Sequence, residues 1–549
     1  MSPNSGISTV EMSEKGNIDD RNNSCVQSTK QADFDTAIAA TGYGKFHILL
    51  YMALVPVSWA STIDTANMSV IFPAAECDLG LTMFHKGILN AAVYFGMVSS
   101  GLIWGYLADV KGRKSIIIYG FLADGICNIL LGFSQNFWML FFFKCIIGCI
   151  ISGPYASVMS YYSEFYSTKS RTRITLIVGL TITAGAVVNM ALAWLVIPQK
   201  WSIVLWDGYF VYNSWRMFLS MCSVPTLIGV FCLSFFPESP KFLMSQGRKD
   251  EAMKVLRKIY RINTGQPEEN YPISELVDER EVTKSTDLPL SDSKPGEKTF
   301  REGLLQMKPI FFKPHICRLL LMVTLQFCSM LGLNTIRLWQ PQIFAILENF
   351  DPIKYNINDH EPAFCEILDA ATNLAKNTSM IGGDVEPKNC SEVVISESMY
   401  IDSMIVSATS IVSLSLASVL VNLLGHKNLL YICYTLCAVS LISMTWSTNA
   451  ILTLALTCLY VGVMNTTLNI VIGAAVILFP TSLRTMAVSL EMIMGRIGSL
   501  IGNVVFPVLL QYGCMTPIFT IACFPLFGIV LAFFIPKEKR KTKNVESGS

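Results

Sequence analysis

The sequence predicts an all-α membrane protein of twelve transmembrane helices in two six-helix bundles, and three observations predict it. The chain of 549 residues is 52% hydrophobic and only 15% charged, with a mean hydropathy of +0.47. A soluble domain carries roughly 25% charged residues. Apolar runs recur along the chain, each near the roughly 20 residues that a helix needs to cross a bilayer. Lysine and arginine crowd the short loops on one side of those runs and are sparse on the other.

The runs predict spans at 47–73, 87–107, 115–134, 138–162, 174–197 and 214–236, then at 317–347, 399–423, 428–447, 451–475, 486–510 and 516–536. One set of short loops holds Lys111, Arg113, Lys114, Lys169, Arg171, Arg173, Lys427, Arg484 and the basic tail. The other set offers only Lys86 and Lys200. By the positive-inside rule both termini are expected in the cytosol. The polar stretch 1–45 reads as a disordered cytosolic tail, with no cleavable signal peptide, and 537–549 as a second tail. Bundles at 46–236 and 317–536 are separated by a cytosolic linker, 237–316, with short helices in its first third and a mobile stretch from Asn263 to Lys298. The long loop 348–398 falls on the luminal or extracellular side. There Asn377 and Asn389 head glycosylation sequons. Cys365 and Cys390 share that oxidising loop, which leads to an expected disulfide between them, two free thiols being the alternative. Most of the 16 cysteines lie in apolar runs, where a thiol acts as a small hydrophobe.

The loop between the second and third spans reads Gly105-Tyr-Leu-Ala-Asp109-Val-Lys111-Gly112-Arg113-Lys114. Small residues suit a tight turn, and Asp109 is an acid among cations at a helix end. Composition alone allows a plain basic turn with a local ion pair. The whole pattern, however, resembles the signature loop of the major facilitator superfamily. That resemblance implies two pseudo-symmetric bundles, with Asp109 and Arg113 locking helix ends on the cytosolic side. Glu164 and Arg171 have the spacing seen after the fourth span in sugar and organic-ion carriers, where such groups form a gating ion pair. In the second half Arg484 remains, but Ile477 stands where the family has Glu, Asn422 replaces Asp, and His426 replaces Arg. The second lock is therefore expected to be weakened.

Phe236-Pro237-Glu238-Ser239-Pro240 closes the sixth span, since proline stops one helix and opens the next. The tetrapeptide Pro237-Glu238-Ser239-Pro240 resembles the sugar-porter and organic-ion branches. Together with Gly42-Tyr-Gly44-Lys-Phe, Phe72-Pro73-Ala-Ala-Glu76-Cys-Asp78, Ser214-Trp215-Arg216 and the stretch 246–260, it makes the chain similar to synaptic vesicle glycoprotein 2-like proteins. The tail and the glycosylated loop are shorter than in the vertebrate members, so roles tied to those segments are not carried over.

Polar residues inside spans are costly unless paired or hydrated. Asp64, with Asn67 one turn on, reads as a protonatable coupling site, a counter-charge for a cation, or a static partner of a basic residue. The vesicle-glycoprotein resemblance puts Asp64 at one of two acidic positions, the other being Ser61 here. Lys144 stands where the superfamily usually has Arg; it could partner Asp64, approach solute, or lay its stem along the bundle. Arg337 could hold a carboxylate through both edges of its guanidinium. Gln326 and Asn334 occupy places where related sugar carriers present amides to hydroxyls. Glu491 and Arg496 read as gating contacts near the cytosol. Trp59, Trp194 and Trp339 either line a cavity or anchor at the interface.

No phosphate-binding glycine loop, nucleophile or metal constellation is present, so an enzyme is not expected and no cofactor is implied. The expected function is alternating-access transport of a small polar or ionic organic solute, with uniport and proton coupling both open. The alternative is a non-transporting vesicle membrane protein that regulates secretion or trafficking through vesicle or secretory protein partners. A net charge of +1 gives no ground for nucleic-acid binding. A secretory or synaptic-type vesicle membrane and the plasma membrane both fit.

Overall fold

The computed structural model describes residues 31–277, 308–313, 315–350, 362–380 and 397–536. The first six crossings are Lys45–Leu79, Met83–Lys111, Arg113–Gly132, Phe137–Ser163, Thr168–Val196 and the pair Ser214–Met221 and Ser223–Ser234. The second six begin with His315–Glu348, followed by two arms of Glu397–Met444, then Ala450–Leu478, Thr481–Leu510 and Met515–Phe533. Gly425 separates the two arms with a non-helical φ of 77°. These crossings are numbered spans 1 to 12 below. Eleven are long and apolar enough to cross a membrane by length and composition; span 2, of 29 residues, completes the twelve. At 1.5 Å per residue, spans of this size cover or exceed the ~30 Å hydrocarbon core.

The two halves meet where span 2 packs on span 11, span 5 on the arms of Glu397–Met444, and span 1 on span 7. Close approach at the first of these requires a residue without a side chain. A Cβ on Gly87 would sit 2.7 Å from the Asn503 carbonyl oxygen and 2.8 Å from Pro507. In lipid the apolar effect does not drive helices together, so such backbone-to-backbone fits carry much of the packing. The face where these residues meet lies opposite the basic loops.

Part of the N-terminal tail and of the linker's expected mobile stretch is folded. Residues 1–30 and 278–307 of the tail and linker lie outside the described residues, as does the tail 537–549. Residues 31–45, by contrast, hold a helix, Phe34–Ala40, and the strand Gln31–Ala32, which pairs in parallel with Glu275–Leu276 of the linker. The physical reason is apolar spacing: Phe34, Ala37 and Ile38 form one helical face. That face packs against Leu243, Met253 and Leu256 of the linker helices Pro240–Ser245 and Lys249–Thr264. Tyr271 donates to the Ala37 carbonyl at 2.6 Å. Asp35 accepts from the backbone and hydroxyl of Thr168, placing an anion at the N-terminus of span 5. Asn263, the expected start of the mobile stretch, accepts from Phe46 N–H at 3.0 Å and donates to the Gly42 carbonyl at 2.9 Å.

On the opposite face, Ser202–Leu205 and Phe210–Asn213 form an antiparallel hairpin between spans 5 and 6. The long loop contains a helix, Phe364–Met380. It corrects the expected disulfide: Cys365 is bonded to Cys514, just before span 12, with Cα atoms 5.2 Å apart. Cys390 lies outside the described residues and cannot share that bond. The helix is folded back on the bundle, with Phe364 N–H on the Ser447 carbonyl at 2.7 Å and Cys514 N–H on Asp369 Oδ1 at 2.5 Å. Those two contacts bring Cys365 within bonding distance of a cysteine far away in sequence.

Candidate functional site

Span 1 is apolar on nearly all sides through its middle, so the one acid there stands out from Glu76 and Asp78 at its end. Asp64 is 2% exposed near the middle of that span. Its Oδ1 accepts from Asn128 Nδ2 at 2.9 Å, and its backbone carbonyl accepts from Lys144 Nζ at 2.6 Å. Asp124 of span 3, which the sequence reading passed over, has its carboxyl within hydrogen-bonding reach of Asp64 and is fully buried. Two carboxyls and one ammonium thus share a site. An ionised side chain at mid-membrane costs roughly 2.5–3.5 kcal/mol unless compensated. Lys144 brings one positive charge to a site that holds two carboxyls. Asn67, one turn from Asp64, is buried with only the Cys222 thiol near its amide, and among the described residues the buried amides of Asn90 and Asn189 have no hydrogen-bond partner. Buried amides without partners are rare in finished cores and point to a site completed by water or solute.

Span 7 carries the second polar group. Asn334 donates to Ser499 Oγ at 2.7 Å, and Gln326 donates to the Met492 sulfur while its Oε1 has no partner among the described residues. Arg337 is half-buried, with Nε unpaired and a hydrogen bond to the Tyr94 hydroxyl of span 2. Arg496 corrects its expected place near the cytosolic end. It lies at the middle of span 11 and donates to Ser152 Oγ of span 4 at 2.8 Å, across the interface between halves. Tyr94 and Tyr155 lie within electrostatic range of both arginines. Glu491 is fully buried, and neither carboxylate oxygen has a hydrogen-bond partner among the described residues.

At the basic face the geometry is that of a latch. Gly112 turns the chain with φ 89°, a region that favours glycine. A Cβ there would lie 2.6 Å from Glu238 Oε2. Glu238 Oε1 accepts from the backbone N–H groups of Lys114 and Ser239 at 3.0 Å each. Arg113 forms an ion pair with Glu164, and Ser239 Oγ donates to Glu164 Oε2 at 2.5 Å. Tyr161 donates to the Pro237 carbonyl, also at 2.5 Å. Glu164 therefore engages Arg113 and the end of span 6. Arg171, its partner by spacing, leaves Nε unpaired, as does Arg484 in the second half. Gly105 and Asp109 lie in the last turns of span 2, and the Asp109 side chain falls outside the described residues. Of the sequons, Asn377 lies near the end of the helix Phe364–Met380, and Asn389 is outside the described residues.

Residues 26–353, more than half of the chain, match the family model described as sugar (and other) transporter. The chain belongs to that family. Residues 395–549 match the major facilitator superfamily model. Among curated proteins it is similar to rat synaptic vesicle glycoprotein 2B, 32% identical over 247 residues, 44% of this chain and 36% of that protein. Human synaptic vesicle glycoprotein 2B is 29% identical over 282 residues, covering 51% and 41%. The aligned stretches thus span well under half of these relatives' length. Among solved structures, the inward-open xylose transporter XylE from E. coli superposes with a TM-score of 0.62 at 15% identity, covering 90% of this chain and 97% of that one. The partially occluded inward-open form gives 0.60 at 13% identity, covering 90% and 100%. At such identities the likeness shows the fold alone, two six-helix halves of a multi-pass membrane protein; that the family is one of transporters rests on the matched family model.

Asp124 and Asn128 were within reach of sequence reasoning, because both sit in the apolar run of span 3, and the cost argument that flagged Asp64 applies to Asp124 equally. Tyr94, Ser152 and Tyr155 were not, since hydroxyls are common in spans and only the meeting of the halves gives these three a role.

Proposed function

We propose that the chain is a secondary transporter that carries a small polar or ionic organic solute by alternating access, coupled to a proton exchanged at Asp64. The observation that carries this is the buried Asp64–Asp124–Lys144 cluster, beside the buried amide of Asn67. Such groups persist at mid-span at a cost that a static bundle has no need to bear. Proton gain or loss changes the charge of the carboxyl pair, and with it the hold of Lys144 on span 1. Solute sits near the midplane where the halves meet, at residues including Gln326, Asn334 and Arg337. Arg113 and Glu164 hold the basic face and must part or re-form as access alternates, with Gly105, Asp109 and Gly112 shaping that turn and Arg171, Arg484 and Glu491 as further gating groups. The basic face is cytosolic, as are both termini. Glycans at Asn377 and Asn389 then face a vesicle lumen or the cell exterior.

The second-half residues Ile477, Asn422 and His426 favour one other reading, a vesicle protein that keeps the fold and acts through secretory partners. Uptake of a mixed labelled metabolite set into proteoliposomes, with and without an inward proton gradient, separates the two. Transport predicts gradient-driven accumulation that Asp64→Asn abolishes. Accumulation indifferent to the gradient and to that substitution removes the proton from the scheme. No flux from folded protein, with secretory partners still recovered, favours the second reading.

A further inference from the structure

We infer that Arg337 and Arg496 together seat the negative end of the solute, and that the solute class is therefore a small organic carboxylate. This rests on the transport reading for its consequence, though its chemistry stands on the two guanidinium groups. Among the described residues neither arginine has a carboxylate in ion-pair contact. Arg337 leaves Nε without an acceptor, and Arg496 spends one N–H on a neutral hydroxyl, Ser152 Oγ at 2.8 Å.

The charges nearby are committed elsewhere. Asp64 and Asp124 are held with Asn128 and Lys144 in the first half. Glu491 lies five positions before Arg496 on the same helix, well over a quarter turn away around its axis, and makes no hydrogen bond to it. Two cations within range of the same tyrosines, and lacking an anion, repel each other; an anion between them removes both costs.

The surrounding groups suit an anion. A guanidinium only donates, and its planar fork matches a carboxylate. The hydroxyls of Tyr94 and Tyr155, which lie within range of both arginines, add further donors. A cationic solute would meet two like charges there. A neutral sugar would leave both charges uncompensated. The site is also shared between halves, since Arg337 and Arg496 belong to the second bundle and Tyr94, Ser152 and Tyr155 to the first. A bound anion would bridge the halves, as a solute must if its presence is to bias their relative movement.

The test uses the purified full chain in detergent and reads thermal stabilisation with probes of similar size and different charge: benzoate, benzamide and benzylamine, with succinate as a dicarboxylate and phenyl phosphate as another oxyanion. Benzoate or succinate is expected to raise Tm, and benzamide and benzylamine to leave it unchanged. Arg337→Gln and Arg496→Gln should each weaken the carboxylate's apparent Kd by about 10- to 100-fold, the range for losing hydrogen bonds to a charged group. Arg496→Lys, which keeps the charge and guards against a folding artefact, should recover part of the loss. Stabilisation by phenyl phosphate alone overturns the carboxylate assignment. Stabilisation by the amide or amine alone, by no probe, or by a carboxylate whose affinity is unchanged in both Gln variants overturns the site. Carboxylate binding without flux in proteoliposomes sinks transport and keeps the site; flux of a neutral or cationic solute without carboxylate binding does the reverse.

Discussion

The turn between spans 2 and 3 and its counterpart between spans 8 and 9 have nearly the same backbone and different chemistry. Gly112 has φ 89° and ψ 152°; Gly425 has φ 77° and ψ 159°. Lys114 Nζ caps span 6 through the Ser234 carbonyl at 2.9 Å, and Lys427 Nζ caps span 12 through the Phe533 and Ile535 carbonyls at 2.6 and 2.8 Å. What differs is the next layer. In the first half Arg113 meets Glu164, which also holds Ser239, and Glu238 fills the space that a Gly112 side chain would need. In the second, His426 and Ile477 replace that acid–base pair, and the space beside Gly425 is open to 4 Å. The glycine turn and the lysine cap are thus common to both halves, whereas the Arg113–Glu164 ion pair is built from residue types that the second half does not repeat at His426 and Ile477.

The sharpest way to break this comparison is to remove the latch. Glu164→Gln removes the carboxylate that Arg113 and Ser239 share and should cost about 3–5 kcal/mol, the range for breaking a buried pair. Thermal unfolding of the purified variant would show the loss, while Gln at position 477 should shift Tm far less. The opposite-face staple comes next. Cys514→Ser removes the bond to Cys365 and should cost about 2–4 kcal/mol, with limited proteolysis appearing first around the helix Phe364–Met380 and leaving the latch intact. The turns follow. Gly112→Ala meets both the positive φ and the Glu238 carboxylate, whereas Gly425→Ala meets the φ alone, so about 1–3 kcal/mol of backbone cost is common to both. Gly112→Ala must show the larger fall in Tm; equal falls would erase the distinction between the halves. The smallest effect should be symmetric: Lys114→Met and Lys427→Met each lose a helix-end interaction of about 0.3–1 kcal/mol, and a clear inequality between them would deny the shared cap.

The comparison also explains what could be read in advance. Span number, the division into halves and the basic turn were legible because each is written in local composition: apolar length, loop charge and the stretch from Gly105 to Lys114. The different residues of the second turn, Ile477 and His426, were legible for the same reason. The partners of those residues were not. Spacing suggested Arg171 for Glu164, but an ion pair is decided by where helix ends converge, and Arg113 and Ser239 arrive there from other spans. Spans that are apolar all round carry no facial pattern, so the sequence places Arg337 and Arg496 in spans without revealing that Tyr94 and Ser152 face them from the other half. Cys514 was hidden by its apolar neighbours, and Phe34–Ala40 by the polar composition of the tail around it.

Alternating access itself is tested most directly by distances between the halves at both faces. Spin labels introduced as non-canonical residues, which spare the native cysteines, can be placed at exposed Ser170 and Lys313 on the basic face and at exposed Trp201 and Tyr512 on the opposite one. Electron–electron resonance distances would then be measured in lipid nanodiscs at neutral and acidic pH, for the wild type and for Asp64→Asn. The account predicts opposed changes, one pair separating as the other closes when the pH falls, with the Asp64→Asn protein held in one of the two states. Distances that stay fixed at both faces under every condition would contradict it.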